Sequence, residues 1–422
     1  MNASTARRWP NPAKIGLLSM LYLAQGLPFG FQANALALYL TDLGLSLEKI
    51  SFARALALPW SLKALWAPFV DRHGSETFGR RKSWIVPMQL LLAGTCFVAS
   101  WVPPASNLTL LLCLVLLMNF FAATQDIAVD GLAVDLLGEN ELGAGNAAQV
   151  VGYKIGMLTG GGLLVWASAY LGWSFMFQAM GALCLIIALI MVRHRERPHE
   201  RHGETTATRV HWPELKARLL SIFKAKGALT FFAFVATYKA GESMADAMFG
   251  PWLVREAHLP KETVSLWLGS YGLIGSLLGS FSGGWLATRM PLLRAIGITA
   301  FLRSIPLFLQ AALVAGAFAA GPSSVIPLTV LEHAFGGMLT TCMFAYMMSR
   351  VDQRIGATHY TVIASVEVLG KAPPAFLSGT IAQTFGFVPL FVASGVLSLA
   401  FLFLVAAEQR NFSARSHAVS HE

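Results

Sequence analysis

The sequence predicts an all-α membrane protein of twelve transmembrane helices arranged as two six-helix halves. Three observations carry that expectation. The chain is 55% hydrophobic and only 13% charged, whereas soluble domains carry about 25% charged residues. Its mean hydropathy is +0.58, and the apolar stretches are long and mostly free of charge, which specifies helices rather than a β-barrel. A basic, Pro- and Gly-containing segment from Arg193 to Lys226 divides the apolar stretches into two sets of six.

The spans fall near 15–40, 48–70, 83–102, 108–135, 146–170 and 173–192, then 228–254, 263–288, 294–319, 325–349, 361–383 and 387–407. Each is close to the ~20 residues needed to cross a bilayer. The first lacks a small-x-small cleavage site and reads as a spanning helix, not a removed signal peptide. The domains are then 1–192 and 228–409, joined by a linker at 193–227 and followed by a tail at 410–422. Within the linker, Pro213–Lys224 reads as a short amphipathic helix, and His194, His199 and His202 read as solvated loop residues.

Orientation follows from the cations. Arg7, Arg8, Lys14, Arg72, Arg80, Arg81, Lys82, the linker, Arg289, Arg294, Arg350, Arg354, Arg410 and Arg415 fall on one side. The other side receives Lys49, Arg255 and Lys261, with Arg54 just inside the second span. The positive-inside rule puts both termini and the linker in the cytoplasm. The net charge of +9 is therefore a topology signal and not a nucleic-acid footprint. Cys96, Cys113, Cys184 and Cys342 lie singly in apolar runs, without metal or disulfide spacing. No metal site and no cofactor are expected.

A faint repeat supports duplication. Ala67–Arg72 closes the second span and Gly284–Arg289 closes the eighth, each with a small residue four places before an Asp or Thr that precedes Arg. Glycines at 160–162 and 275–284 suit close helix approach; they lack the strand and the following Lys-Ser/Thr of a phosphate loop. Phe29, Phe31, Trp60, Trp66, Met244, Met248 and Phe249 read as lipid-facing or packing residues. Pro28, Pro59, Pro68, Pro373 and Pro374 can kink their spans.

Asp126 and Asp130 break the apolar run that begins at Leu108, and at i and i+4 they share a helix face. An ionisable group inside a span is costly and marks a functional site by default. At ~1.5 Å per residue Asp126 lies ~27 Å along a ~30 Å core. That depth assigns Asp126 and Asp130, with Asp71, Arg72, Arg80 and Arg81, to a cytoplasmic charge network acting as a gate. A second set falls near mid-depth: Gln25, Lys154, Tyr238, Lys239, Glu242, Arg303, Glu332, His333, Glu367 and Lys371. Lys239, Glu242 and Asp246 share a helical face, as do Glu367 and Lys371. Lys154 has no acid one turn away on its own helix. A purely structural bundle could use leucine at these positions without the cost of buried charge.

The loop Asp71-Arg72-His73…Phe78-Gly79-Arg80-Arg81-Lys82 resembles the signature loop of the major facilitator superfamily, here with an insertion. More of the first half resembles one branch, the family of muropeptide permeases (AmpG) and acetyl-CoA transporters. The matching stretches are Gly26-Leu27-Pro28, Lys63–Pro68, Phe78–Arg81, Gln125–Asp130 and Gly152–Met157. Muropeptide permeases of this family carry extra helices, while this chain has room for twelve spans. The resemblance implies a major facilitator fold with a central cavity lined by helices 1, 4, 7 and 10. It also implies a bacterial inner-membrane, monomeric secondary transporter that rocks two halves between inward- and outward-open states.

Nothing resembles an ATP-binding domain, so the energy comes from an ion or solute gradient. Glu242, Glu332, Glu367 and His333 point to protons, since desolvated or paired groups of this kind change charge near neutral pH. The mid-depth cations point to an anionic small-molecule solute. Resemblance makes that a muropeptide (an anhydro-sugar bearing peptide), with acetyl-CoA or another anionic metabolite as the second reading. A membrane-embedded transferase is a remote third, since no nucleophile–base pair or metal-ligand motif supports an enzyme.

Overall fold

The computed structural model describes residues 11–32, 36, 40, 56–75, 77–103, 107–194 and 211–419. Lys49 and Arg54 at the start of the second span, and His199 and His202 of the linker, lie outside the described residues. The helices follow the order of the twelve spans.

The first span is α1 (Pro12–Gly30), capped by Asn11, whose side chain accepts from the Ala13 amide. The described part of the second span is broken into α2 (Leu58–Leu62), a 3₁₀ turn (Lys63–Leu65) and α3 (Ala67–Arg72). Pro59 and Pro68 sit in the first turns of α2 and α3. A proline there gives up an amide that has no intrahelical partner, so each starts a helix instead of bending one. Next come α4 (Lys82–Ser100) and α5 (Leu108–Leu136), the latter capped by Asn107. The fifth span is α6 (Leu142–Leu158), a π turn (Thr159–Leu163) and α7 (Leu164–Leu171); the sixth is α8 (Trp173–Arg193).

The expected linker helix is present as α9 (Trp212–Lys224). Beyond it α10 (Ala228–Thr237) and α11 (Ala240–Arg255) form one span interrupted at Tyr238 and Lys239. The eighth span is α12 (Lys261–Leu266), a π turn (Trp267–Tyr271) and α13 (Gly272–Arg289). The last four are α14 (Leu292–Val314), α15 (Pro322–Ser349), α16 (Gly356–Phe385) and α17 (Phe387–Val419).

The chain packs as two compact units. Unit 1 is drawn from Met1–Gly138, Ala148–Arg218 and Val351–Val362; unit 2 from Glu139–Ala147, Leu219–Arg350 and Ile363–Glu422. In each unit, glycine sets the closest helix crossings. Within unit 1, α1 lies against α6 backbone to backbone. A methyl group on Gly26 would stand 2.2 Å from the Tyr153 carbonyl oxygen, and one on Gly156 2.2 Å from that of Leu23. Within unit 2, α13 meets α15 in the same way: a methyl group on Gly279 would stand 1.9 Å from the Ala334 carbonyl oxygen. Lipid tails are as apolar as leucine, so helices in a bilayer associate through close packing and polar contacts, and small residues permit both. An apolar cluster in unit 2, including Phe249, Trp252, Leu253, Leu307 and Phe391, fills the region around α11 and α14.

Gly156→Ala tests the crossing. It is expected to destabilise the protein by about 1–3 kcal/mol, because backbone and not a flexible side chain must move. Gly162→Ala, whose new methyl meets only the Leu158 Cδ1 at 3.5 Å, should melt as wild type. Thermal unfolding in detergent measures both, and equal melting of the two variants would contradict the packing.

Candidate functional site

Among the described residues, three groups of buried ion pairs stand on the helices. The first sits at the basic end of unit 1. Gly79 turns the loop with φ 110°, a conformation that favours glycine. The turn directs Arg80 and Arg81 back toward α3. Arg81, fully buried, bonds Asp71 Oδ1 through Nη1 at 2.6 Å and Asp135 Oδ2 through Nε at 2.8 Å. Arg80 Nη2 reaches the same Asp71 Oδ1 at 2.9 Å. The second Asp71 oxygen, Oδ2, accepts from the Thr358 amide at 2.7 Å, in the first turn of α16. A carboxylate at a helix N-terminus satisfies an amide that has no intrahelical partner. Gly131 on α5 makes room for the assembly, since a methyl group there would stand 2.6 Å from the Arg81 Cζ. Arg81, Arg80 and the Thr358 amide together satisfy the buried Asp71 carboxylate. Arg72 lies apart from this group, its guanidinium 5.0 Å from the Trp212 ring.

The second group is also in unit 1. Lys63, in the 3₁₀ turn between α2 and α3, forms an ion pair with Asp126 and stands 3.9 Å from Asp130. Asp130 Oδ1 accepts from the Tyr22 hydroxyl at 2.7 Å and from Gln149 Nε2 at 3.3 Å. Asp126 and Asp130 are thus partnered by Lys63, while Asp71 and Asp135 are partnered by Arg81. Asp126 precedes Asp135 by nine residues on one continuous helix, which is ~13 Å of rise, too far to share Arg81. Gln25, one turn beyond Tyr22 on α1, is fully buried, and neither of its amide atoms has a hydrogen-bond partner. Lys154 is half-buried on α6, next to Tyr153.

The third group belongs to unit 2 and brings together most of the predicted mid-depth residues. Arg303 on α14 is fully buried. Its Nε lies 3.2 Å from Glu242 Oε2, and its Nη2 is ion-paired to Glu332 Oε1. The other Glu332 oxygen engages His333 Nδ1. Lys239 caps the start of α11 and approaches Glu242 Oε1 at 3.4 Å. The interruption at Tyr238 and Lys239 thus puts Glu242 in the first turn of a helix, where negative charge is favoured. Beside this set, the Tyr238 hydroxyl donates to Glu367 Oε1 at 2.8 Å, and Lys371 pairs with the same oxygen at 2.7 Å. Carboxylate oxygens of Glu242, Asp246 and Glu332 lie within 4.8 Å of one another. Arg303, Lys239 and His333 already engage the Glu242 and Glu332 oxygens, so the arrangement is an ion-pair network in its own right.

Sequence reasoning missed Lys63, Tyr22, Gln149 and Asp135. Lys63 was open to the rule that singled out Asp126, a charge inside a span. Asp135 lies one residue before the end of α5 and gives no such signal.

Two bundles of spanning helices, each with charge buried inside it, define a multi-pass membrane protein of the transporter class. The chain belongs to the major facilitator superfamily: the profile described as Major Facilitator Superfamily matches residues 18–370. It is similar to the Anhydromuropeptide permease of Escherichia coli (strain K12), 27% identical over 404 residues that cover 93% of this chain and 79% of the permease. It is also similar to Putative transporter AmpG 4 of Rickettsia conorii (strain ATCC VR-613 / Malish 7), 24% identical over 392 residues covering 92% and 94% of the two chains. These relatives bear out the resemblance read from the first half. Among solved structures, FucP in the outward conformation superposes with a TM-score of 0.65 at 14% identity, over 93% of this chain and 97% of that one. The human organic anion transporter MFSD10 (TETRAN) gives 0.63 at 15% identity, over 94% and 100%. These two share the fold.

Asp71→Ala is expected to lower stability by about 3 kcal/mol, because it leaves buried Arg81 short of a counter-charge. Thermal unfolding of wild type and variant in detergent measures the difference, and equal melting of the two would contradict the pairing.

Proposed function

We propose that the protein is a proton-coupled secondary transporter that brings a muropeptide, an anhydro-sugar bearing peptide, across the bacterial inner membrane by alternating access. Its termini and linker face the cytoplasm by the distribution of cations. The observation that carries the reading is the unit 2 network around Arg303. A fully buried guanidinium held by Glu242 and Glu332 is costly inside a membrane, and apolar residues would pack there without that cost. Such a network earns its place by changing state.

A proton arriving at Glu332 or His333 would weaken the hold of Glu332 on Arg303 and free the guanidinium for another partner. Glu242 and Glu367 are the further candidate proton carriers, with Lys239, Lys371 and Tyr238 as their partners. Asp71, Arg80 and Arg81 act as a cytoplasmic gate, since their bonds to the start of α16 must be remade when that end opens. Lys63 holds Asp126 and Asp130 in a separate group that joins the transport machinery. The relatives' names support the muropeptide. A second reading, acetyl-CoA or another anionic metabolite, draws on Arg303 Nη1, which is buried without a hydrogen-bond partner. Lys154 is assigned to an anionic group of the solute because it is a half-buried cation in the middle of a span.

Uptake of a labelled anhydro-sugar peptide into proteoliposomes tests coupling. Uptake is expected to rise with an acid-outside gradient and to collapse with a protonophore. Uptake that ignores pH and follows sodium or a counter-solute would rule protons out. Lys154→Gln should weaken binding of the anionic ligand at least tenfold, about 1.4 kcal/mol, while Lys154→Arg keeps part of it. Wild-type affinity in a normally melting Lys154→Gln protein would make Lys154 a structural charge.

A further inference from the structure

Beside the Lys63–Asp126 pair, three aromatic rings from three spans meet. Phe29 of α1 and Trp60 of α2 stand edge to face, with centroids 5.8 Å apart and planes at 81°. Tyr153 of α6 lies 5.8 Å from Phe29 and 6.1 Å from Trp60, inclined at 44° and 74°. Each ring is only half-buried, although the ion pair next to them is buried. The Trp60 indole donates to Asn119 Oδ1 at 2.9 Å, which fixes its plane, and Lys63 Nζ lies 5.8 Å from its ring. Gln25 shares the α1 face that carries Tyr22 and Phe29. It is buried with both amide atoms unsatisfied. A buried amide without partners is costly, and a ligand that could both donate and accept would relieve it.

The rings form a corner and not a slot. No two of them are parallel, so a planar base has no pair of faces to slide between. A pyranose ring fits this chemistry better: it presents an apolar C–H face to aromatic surface and a rim of hydroxyl and amide groups to polar neighbours. Lys63 is engaged by Asp126 and Asp130, which leaves it a poor partner for a pyrophosphate. We propose that Phe29, Trp60 and Tyr153, with Gln25, form a carbohydrate subsite in unit 1 that receives an amino-sugar ring of the solute. The choice of an amino sugar rests on the muropeptide reading above.

The test is binding to the purified full-length protein by titration calorimetry. The probes are the disaccharide N-acetylglucosaminyl-1,6-anhydro-N-acetylmuramic acid, the same disaccharide carrying its peptide, the free peptide, and acetyl-CoA. Wild type is expected to bind both sugar-bearing probes. Trp60→Ala should weaken both at least tenfold, about one factor of ten in Kd, while Trp60→Phe, which keeps a ring, stays closer to wild type. Gln25→Leu separates ligand from fold: it should raise the melting temperature, by removing an unsatisfied buried amide, yet lower the affinity for the disaccharide. That variant keeps the test decisive should Trp60→Ala fail to fold. The subsite is overturned if wild type does not bind the bare disaccharide, or if a folded Trp60→Ala or Gln25→Leu protein binds it as wild type does. Acetyl-CoA binding that depends on Trp60 would also overturn it. Disaccharide binding that depends on Trp60, combined with no uptake of the peptide-bearing form, would sink the transport reading and leave the subsite standing.

Discussion

A charge inside a bilayer must have a counter-charge within reach, and most of what is specific to this protein follows from meeting that demand. Lys63 has Asp126; Arg81 has Asp71 and Asp135; Arg303 has Glu242 and Glu332; Lys371 has Glu367. Lys63, and Lys239 beside the Arg303 network, stand at breaks in regular helix. Lys63 opens the 3₁₀ turn between α2 and α3, and Lys239, which supports Glu242, stands between α10 and α11. A broken span exposes backbone polar groups that hydrocarbon cannot satisfy, so breaks are tolerated where protein or a polar site surrounds them. At Lys63 and Lys239 the charge and the break therefore occupy the same place for one reason.

Reach also depends on how closely helices approach. In unit 1 the glycine crossing of α1 and α6 is what lets short polar side chains converge from several spans. Tyr22 of α1 and Gln149 of α6 both meet Asp130 of α5, and Phe29 meets Tyr153. A residue larger than glycine at position 26 or 156 would part the two helices and pull these groups away from α5. Packing and polar chemistry are in this sense one feature of the sequence.

The spans were legible because hydropathy is a property of about twenty consecutive residues and survives small errors at each end. Interruptions were less so. Pro59 and Pro68 announce themselves, but they start helices, and the break at Tyr238 and Lys239 has no glycine or proline to mark it. The composition of the unit 2 network was readable from depth along each helix: Glu242, Arg303, Glu332 and His333 converge as their positions imply. The same arithmetic measured depth along α5 and could not show that Lys63 would reach Asp126 from another span. Partnership between spans depends on rotation about each helix axis, which a single sequence does not encode directly. The three rings beside Lys63 were invisible for the same reason: Phe29 and Trp60 read singly as lipid-facing or packing residues, and Tyr153 stood out only as part of the stretch Gly152–Met157.

If the buried pairs exist for transport and not for the fold, replacing both partners by apolar residues of similar volume should leave the protein folded and inactive. Lys63→Met combined with Asp126→Leu and Asp130→Asn is the most direct case: Lys63 serves both aspartates, so all three charges go together, and a buried ion pair exchanged for packed hydrophobes is commonly neutral or stabilising by about 1–4 kcal/mol. The measurement is melting temperature together with solute uptake in proteoliposomes for the triple variant. Expected is a melting temperature at or above wild type, with uptake reduced to background. A triple variant that melts well below wild type, or one that transports normally, would contradict the claim that these charges are retained for transport.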